Sequence, residues 1–506
     1  MKLFGRLFLT AAIVAASASS AVADVGLTAD AILAKARAAR GTSPPREVVT
    51  TSIVRRGLTG IEVHQRSGDD YREDTTLGPI HTAEGSAHGV FWQQNPNGET
   101  VVTQGESDGE EPVDETVHAN VTHLTTPSGL YVLSRLNDLG RGTKEYYDSA
   151  TWRLVRFERI SPTETTTTIY SDFRTTAGYT RAWHRTISDG HPENDRADTI
   201  TADDVRPIAA AELAVPPDRR TLVEFPPDRT TLKLPAQYDR IDSKFIVRLM
   251  VAGRGLDFIL DSGASGIVID RDVAQTMGLG EFDAYSNAAN AGRYVETTAI
   301  IPNIAIGDIH MHDVVVTTAP HVGGDRDGFR VVGLLGFDFL HGASVKLDYV
   351  NETATAYAPS SFVPPRAGAD TFALDVRLAS YTPETTVTIN GAVGSRFTID
   401  TGGAGALMID DYFRRRFPDA VVDERHARQS QEFAGVGGDF DTKAMILAQY
   451  QIGPIPFTHS GAYVINENTV YGDDEDGIIG PEILRIFVVY LDLAHGKVYL
   501  VPNSST

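Results

Sequence analysis

Phe258-Ile259-Leu260-Asp261-Ser262-Gly263 and Phe397-Thr398-Ile399-Asp400-Thr401-Gly402 decide the fold of this 506-residue chain. The two segments lie 139 positions apart, and in each an apolar, strand-like run ends in aspartate, a hydroxyl residue and glycine. Nearly continuous apolar residues suit a strand buried on both faces. The glycine lets the backbone turn sharply and approach a neighbour that a side chain would hold off. One such tripeptide is weak evidence. Two, in matching surroundings, predict a pair of carboxylates brought together by internal symmetry.

The surroundings do match. An apolar lead-in at 245–251 followed by Gly253-Arg254-Gly255 precedes Asp261, and residues 386–389 followed by Asn390-Gly391 precede Asp400. Beyond each motif an aspartate, Asp270 or Asp410, stands where it caps a short helix. Farther on, Val332-Gly333-Leu334-Leu335-Gly336 answers Asp476-Gly477-Ile478-Ile479-Gly480. Each is followed by a helical turn (337–340 or 481–487) and a closing strand, Val345-Lys346-Leu347-Asp348 or Val489-Tyr490-Leu491-Asp492. Four elements in the same order predict two lobes, at 235–360 and 369–506.

Elementary chemistry gives the motif residues their roles. Ser262 and Thr401 carry short hydroxyls able to bond across to the opposite loop's backbone and hold the carboxylates in one plane. Two carboxylates within hydrogen-bonding distance cannot both ionise, so they share a proton and titrate as a pair. One then accepts a proton from water while the other polarises a carbonyl, and no nucleophilic side chain is required.

With these residues in view, the stretch from about 235 to 506 resembles the lobes of pepsin-like and retropepsin-like aspartic peptidases. The resemblance rests on Asp261-Ser262-Gly263 with Leu334-Leu335-Gly336, and on Asp400-Thr401-Gly402 with Ile478-Ile479-Gly480. It implies a mainly β, two-lobed barrel unit and an aspartic-type endopeptidase. Asp261 and Asp400 are its catalytic pair, Ser262, Gly263, Ser265, Thr401 and Gly402 support them, and no cofactor is needed. The family often has a hydroxyl residue two positions beyond the glycine, supporting the carboxylate. Ser265 complies; the second lobe has Gly403-Ala404 instead, which makes the second copy the weaker one on this reading. Substrate is expected to lie under two glycine-containing segments. One is 287–296, with Gly292 and Tyr294; the other is 432–441, with Gly435 and Gly437. The rival reading is a degenerate peptidase fold that binds extended peptides without cleaving them.

The rest of the chain frames this unit. Lys2 and Arg6 precede an apolar stretch and then small residues up to Ala23, the pattern of a cleaved export signal at 1–23. Cysteine is absent, so an exported protein would rest on its core rather than on disulfides. The formal charge of −22, about −24 without Lys2 and Arg6, argues against nucleic acid or anionic membrane as a partner. The acidic runs at 106–115 and 473–476 read as solvated loops. No zinc spacing is present, and Gly324-Asp325-Arg326-Asp327-Gly328 lacks the later acidic ligands of a calcium loop.

Thr28 is positioned to cap a helix that Gly41 would stop. From Val48 to about Val205, threonine, valine and aromatic residues alternate between turn signals, which predicts a mainly antiparallel sheet. The region 24–225 is accordingly an N-terminal β domain with a leading helix. It faintly resembles the curved-sheet domains of bacterial lipoprotein carriers, which implies a concavity for a lipid or peptide tail. The proline pairs at 216–217 and 226–227 predict a linker. The expected whole is an exported, monomeric protein that acts on peptides or proteins, with no membrane span once the signal is removed.

Overall fold

The computed structural model describes residues 27–103, 120–124, 129–137, 140–161, 164–289, 292–326, 328–366, 371–379, 381–424, 429–436, 438–465 and 475–503. The expected signal at 1–23, the acidic run at 106–115, Asp473, Asp474, Asp327 and Gly437 lie outside them. The chain is mainly β.

The N-terminal helix, Ala29–Arg40, starts where Thr28 Oγ1 accepts the Ala31 N–H at 3.2 Å and stops where the Gly41 N–H donates to the Arg37 carbonyl. Its buried residue, Ile32, packs on Tyr131, Leu133 and Tyr147 of a thirteen-stranded antiparallel sheet built between residues 46 and 204. Strand order follows the chain from Thr100–Thr103 at one edge back to Arg46–Arg55, which pairs with the last strand, Arg196–Asp204. From there it runs back to Asn120–Leu124 at the other edge. Arg56-Gly57 and His88-Gly89 both carry positive φ at their two residues, the handedness a two-residue hairpin requires. Because neighbouring strands alternate in direction, the turns holding Arg56, Asn97, Arg141, Glu164 and Asn194 all fall on one rim.

The two later halves build sheets that share one order of eight strands, the first with an additional short strand, Gly324–Arg326, paired to Phe329–Leu335. In the first it is Ala236–Asp239, Lys244–Val251, Arg254–Leu260, Phe329–Leu335, Ile267–Asp270, Ile309–Ala319, Gly292–Ile306, Phe282–Ala289. In the second it is Arg377–Ala379, Thr382–Ile389, Ala392–Ile399, Gly477–Ile479, Leu407–Ile409, Ile455–Ile465, Gly438–Ile452, Gln429–Gly435. In both, the second strand also pairs with the seventh, Val251 with Ile304 and Val387 with Ile452, which curls the sheet toward a barrel. A six-stranded sheet joins the halves, three strands from each, with Ser344–Asp348 antiparallel to Phe487–Asp492 at its centre. One buried apolar cluster runs through both halves, from Phe258 and Leu347 to Phe397 and Leu491. Each such side chain contributes roughly 1.5–3 kcal/mol.

Three expectations need correction. Asp270 does cap its helix, accepting from the Asp272 and Val273 N–H groups, but Asp410 makes no capping bond and is buried instead, its own N–H donating to the Asp476 carbonyl. The second closing helix is only Pro481–Leu484. The proline-rich linker is packed rather than free. Arg220 bonds to Asn97 and to the carbonyls of His312 and Asp313, Asp218 accepts the Thr100 N–H at 2.6 Å, and Leu222 and Val223 are buried. Apolar side chains between the proline pairs gain more in the core than as an exposed tether.

Candidate active site

Each motif begins where a buried strand meets the segment lying beside it. Arg254–Leu260 runs parallel to Phe329–Leu335, and the Asp261 N–H donates to the Leu335 carbonyl at 3.0 Å. Ala392–Ile399 runs parallel to Gly477–Ile479, and the Asp400 N–H donates to the Ile479 carbonyl at 3.0 Å. The following glycines lie tight against the motif loops. A Cβ on Gly336 would stand 2.3 Å from the Ala264 carbonyl oxygen, and one on Gly480 2.5 Å from that of Gly405.

The two loops interlock. Ser262 Oγ donates to the Ile399 carbonyl (2.6 Å) and accepts the Thr401 N–H (3.1 Å). Thr401 Oγ1 donates to the Leu260 carbonyl (2.8 Å) and accepts the Ser262 N–H (3.0 Å). Both side chains are buried, so water cannot replace a lost partner, and each hydroxyl removed costs about 1–3 kcal/mol. The interlock sets each carboxyl over the opposite glycine. A Cβ on Gly263 would lie 2.5 Å from Asp400 Cγ, and one on Gly402 would lie 2.2 Å from Asp261 Cγ. The sequence-predicted Asp261, Ser262, Gly263, Asp400, Thr401 and Gly402 are thus all in one place.

Two neighbouring carboxyls in a site shielded from water keep a proton between them. Burial above all, then the charge of Asp400 and a hydrogen bond with it, hold the Asp261 carboxyl well above the usual carboxylate range. The Gly263 N–H and the charge of Lys244 oppose that rise. Lys244 is a residue the sequence reading missed. It opens the strand Lys244–Val251, is only 6% exposed, and its ammonium is pulled down in pKa by burial against the opposing charges of Asp400, Asp261 and Asp239. A lysine at the start of an apolar strand gave no signal, because its setting depends on two loops distant in the chain.

The support of the two carboxyls reverses the expected inequality. Ser265 is exposed, and among the described residues its hydroxyl makes no hydrogen bond to Asp261. The loop turns inward on either side of it, with the Ala264 carbonyl accepting the Phe337 N–H (3.0 Å) and Gly266 lying against Asp338, which leaves the Ser265 side chain outside. Asp261 Oδ1 accepts the Gly263 N–H at 2.9 Å. Asp400 Oδ1 accepts two, from Gly402 at 2.9 Å and Gly403 at 2.7 Å. A Cβ at Gly403 would sit 2.4 Å from Asp400 Oδ2, so glycine here substitutes a backbone donor for the missing hydroxyl.

The expected covering segments are long β-hairpins. In the first, Gly292 pairs with Ala289 and Tyr294 with Asn287, and burial raises the Tyr294 phenol beyond its ordinary range. In the second, Gly435 pairs with Gly438. Among the described residues no group of three or more histidines and acidic residues could hold a metal ion, and no helix is long and apolar enough to cross a membrane.

Residues 247–339 match the family model described as aspartyl protease, and the chain resembles the retropepsin- and pepsin-like aspartic peptidases. No curated protein matches it. Similar solved structures include a retropepsin-like aspartic protease from Rickettsia conorii, 18% identical, covering 27% of this chain and 93% of its own at TM-score 0.20. An aspartic proteinase from Irpex lacteus is 11% identical over 54% of this chain and 98% of its own, at TM-score 0.35. A LolA superfamily protein from Nitrosomonas europaea is 12% identical over 37% of this chain and 98% of its own, at TM-score 0.28.

Proposed function

We propose that the chain is an exported aspartic endopeptidase in which Asp261 and Asp400 activate one water between them. The observation that carries this reading is the reciprocal seat of each carboxyl over the other loop's glycine, locked by Ser262 and Thr401. Asp261, the more deeply buried partner, holds the shared proton and donates a hydrogen bond to the scissile carbonyl. Asp400, steadied by two N–H donors, takes the proton from water as the water attacks. As pH rises through the raised range of Asp261 the shared proton is lost, so cleavage declines toward the alkaline side. The test is cleavage of a denatured protein across pH, with and without a statine-type peptide mimic. Asp261→Asn and Asp400→Asn are expected to slow it by a factor on the order of 10²–10⁴; a variant that cleaves as fast as the parent overturns the reading.

A second reading concerns the N-terminal domain alone. A cavity of about 290 Å³ lies between helix and sheet, lined by Leu33, Ala36, Trp152, Leu154 and Phe173, with Arg37 and Arg181 also among its walls. It favours binding of an apolar tail there, and would be tested by displacement of a fluorescent fatty acid.

A further inference from the structure

The strand Phe282–Ala289 is the outer edge of the first-lobe sheet, and its hairpin partner is Gly292–Ile306. Edge strands present unpaired backbone groups. Here the N-terminal domain meets them. Asn194 Nδ2 donates to the Ser286 carbonyl at 2.9 Å, and Asn194 Oδ1 accepts the Ser286 N–H at 2.8 Å. A side-chain amide thereby completes both backbone bonds of one residue, as a neighbouring strand would. Asn194 is itself held, since Nδ2 also donates to Asp189 Oδ2 at 2.6 Å.

Two more contacts extend this hold along the hairpin. Arg56 bonds to Asp283 Oδ2 at 3.2 Å, and its guanidinium lies 3.8 Å from the centre of the Tyr285 ring. Asp283 is 6% exposed, so this charge pair is poorly screened. Glu164 pairs with Arg293 on the second strand. All three residues come from turns on the same rim of the thirteen-stranded sheet. The second-lobe hairpin differs. On its outer strand, Gln429–Gly435, Gln431 and Glu432 are exposed.

We propose that the N-terminal sheet positions the first-lobe hairpin over the cleft, with Asn194 as the main positioning residue and Arg56 and Glu164 as its partners. The N-terminal domain is then a working part of the peptidase, and the hairpin's freedom to move over a substrate is set by the rim that grips it. The kinetic consequence rests on the peptidase reading; the structural one does not.

The experiment compares the full chain with Asn194→Ala, Arg56→Ala, Glu164→Arg and the exchange pair Glu164→Arg with Arg293→Glu. Hydrogen exchange across 282–289 and 292–306 is expected to quicken about tenfold in the three single variants, the factor one lost hydrogen bond gives. Exchange in Lys244–Val251 and Ser344–Asp348 stays unchanged, and the charge exchange restores protection. With a peptide substrate, KM rises several-fold while kcat holds within about twofold, the signature of lost binding rather than lost chemistry. Unchanged hairpin exchange in both Asn194→Ala and Arg56→Ala overturns the proposal, as does an equal rise in every strand, which marks a purely structural role. If the parent cleaves nothing while hairpin exchange responds as expected, the positioning stands and the peptidase reading falls.

Discussion

The short helix after Gly336 carries Asp338 in the first half, the one after Gly480 carries Glu482 in the second, and the two side chains have opposite surroundings. Glu482 is exposed. Asp338 is buried: Oδ2 accepts the Ile267 N–H at 2.8 Å, and Oδ1 accepts Asn97 Nδ2 at 2.9 Å and Asn95 Nδ2 at 3.3 Å. The asparagines belong to a turn on the N-terminal rim, which also buries Glu99 beside them. At this helix one half has become a docking site while the other keeps its carboxyl in solvent. The rim meets the second half elsewhere, where Arg141 lies 4.5 Å from the centre of the Tyr412 ring. The difference shows that symmetry is retained where the carboxyls meet and abandoned where a further domain leans on the fold.

The strongest way to break the retained symmetry is at the carboxyls. Asp261→Asn and Asp400→Asn each cost on the order of 10²–10⁴ in kcat, measured on a peptide substrate, because either change removes half of the proton exchange. Unequal losses would locate the acid and the base. Next come the interlocking hydroxyls. Ser262→Ala or Thr401→Val lowers stability by about 1–3 kcal/mol in denaturant titration, and the double variant loses less than the sum because each serves the other.

The abandoned symmetry is tested by pH. Burial above all pushes the Glu99 carboxyl up to about 8, from 4.5, and burial with the charge of Glu99 raises Asp338 well above its usual range. His341, Asp218 and Arg220 face the same cluster. A carboxyl that holds its proton more tightly when folded stabilises the fold fully below pH 4.5, and that gain is lost as pH rises through about 8. Thermal melts should therefore fall between these limits by the equivalent of a few kcal/mol, and Glu99→Gln should flatten the profile. The smallest effect is expected at Ser265→Ala, which leaves kcat/KM within about twofold, as for a surface substitution away from any partner; a larger loss would restore the inequality read from sequence.

The sequence reading reached what local pattern dictates. An apolar strand, a turn glycine and a capping residue each leave a short-range mark, and their duplication exposed Asp261 and Asp400 without any structure. Ser265 failed because the reading counted a hydroxyl and not its direction, while the backbone N–H of Gly403 has no side-chain signature at all. Asp410 failed as a cap for a related reason: burial beneath its own lobe outweighed the local motif. Asn97, Asn194 and Lys244 were invisible because their partners lie far along the chain. Asn194 meets Ser286 92 residues later, and Asn97 meets Asp338 241 residues later. Such pairings follow from how finished sheets dock, not from any run of residues.

The six-stranded sheet has a consequence of a different kind. Its central pairing sets Val345 opposite Leu491 and Leu347 opposite Val489, so its middle is a seam between two equivalent edges. A fragment ending after Tyr357 would expose Ser344–Asp348 as an open edge carrying Val345 and Leu347, and open edges recruit a strand from another molecule. The nearest match in shape is the same strand of a second fragment. The seam would then become the interface of a symmetric homodimer, with two copies of Asp261 facing each other across it.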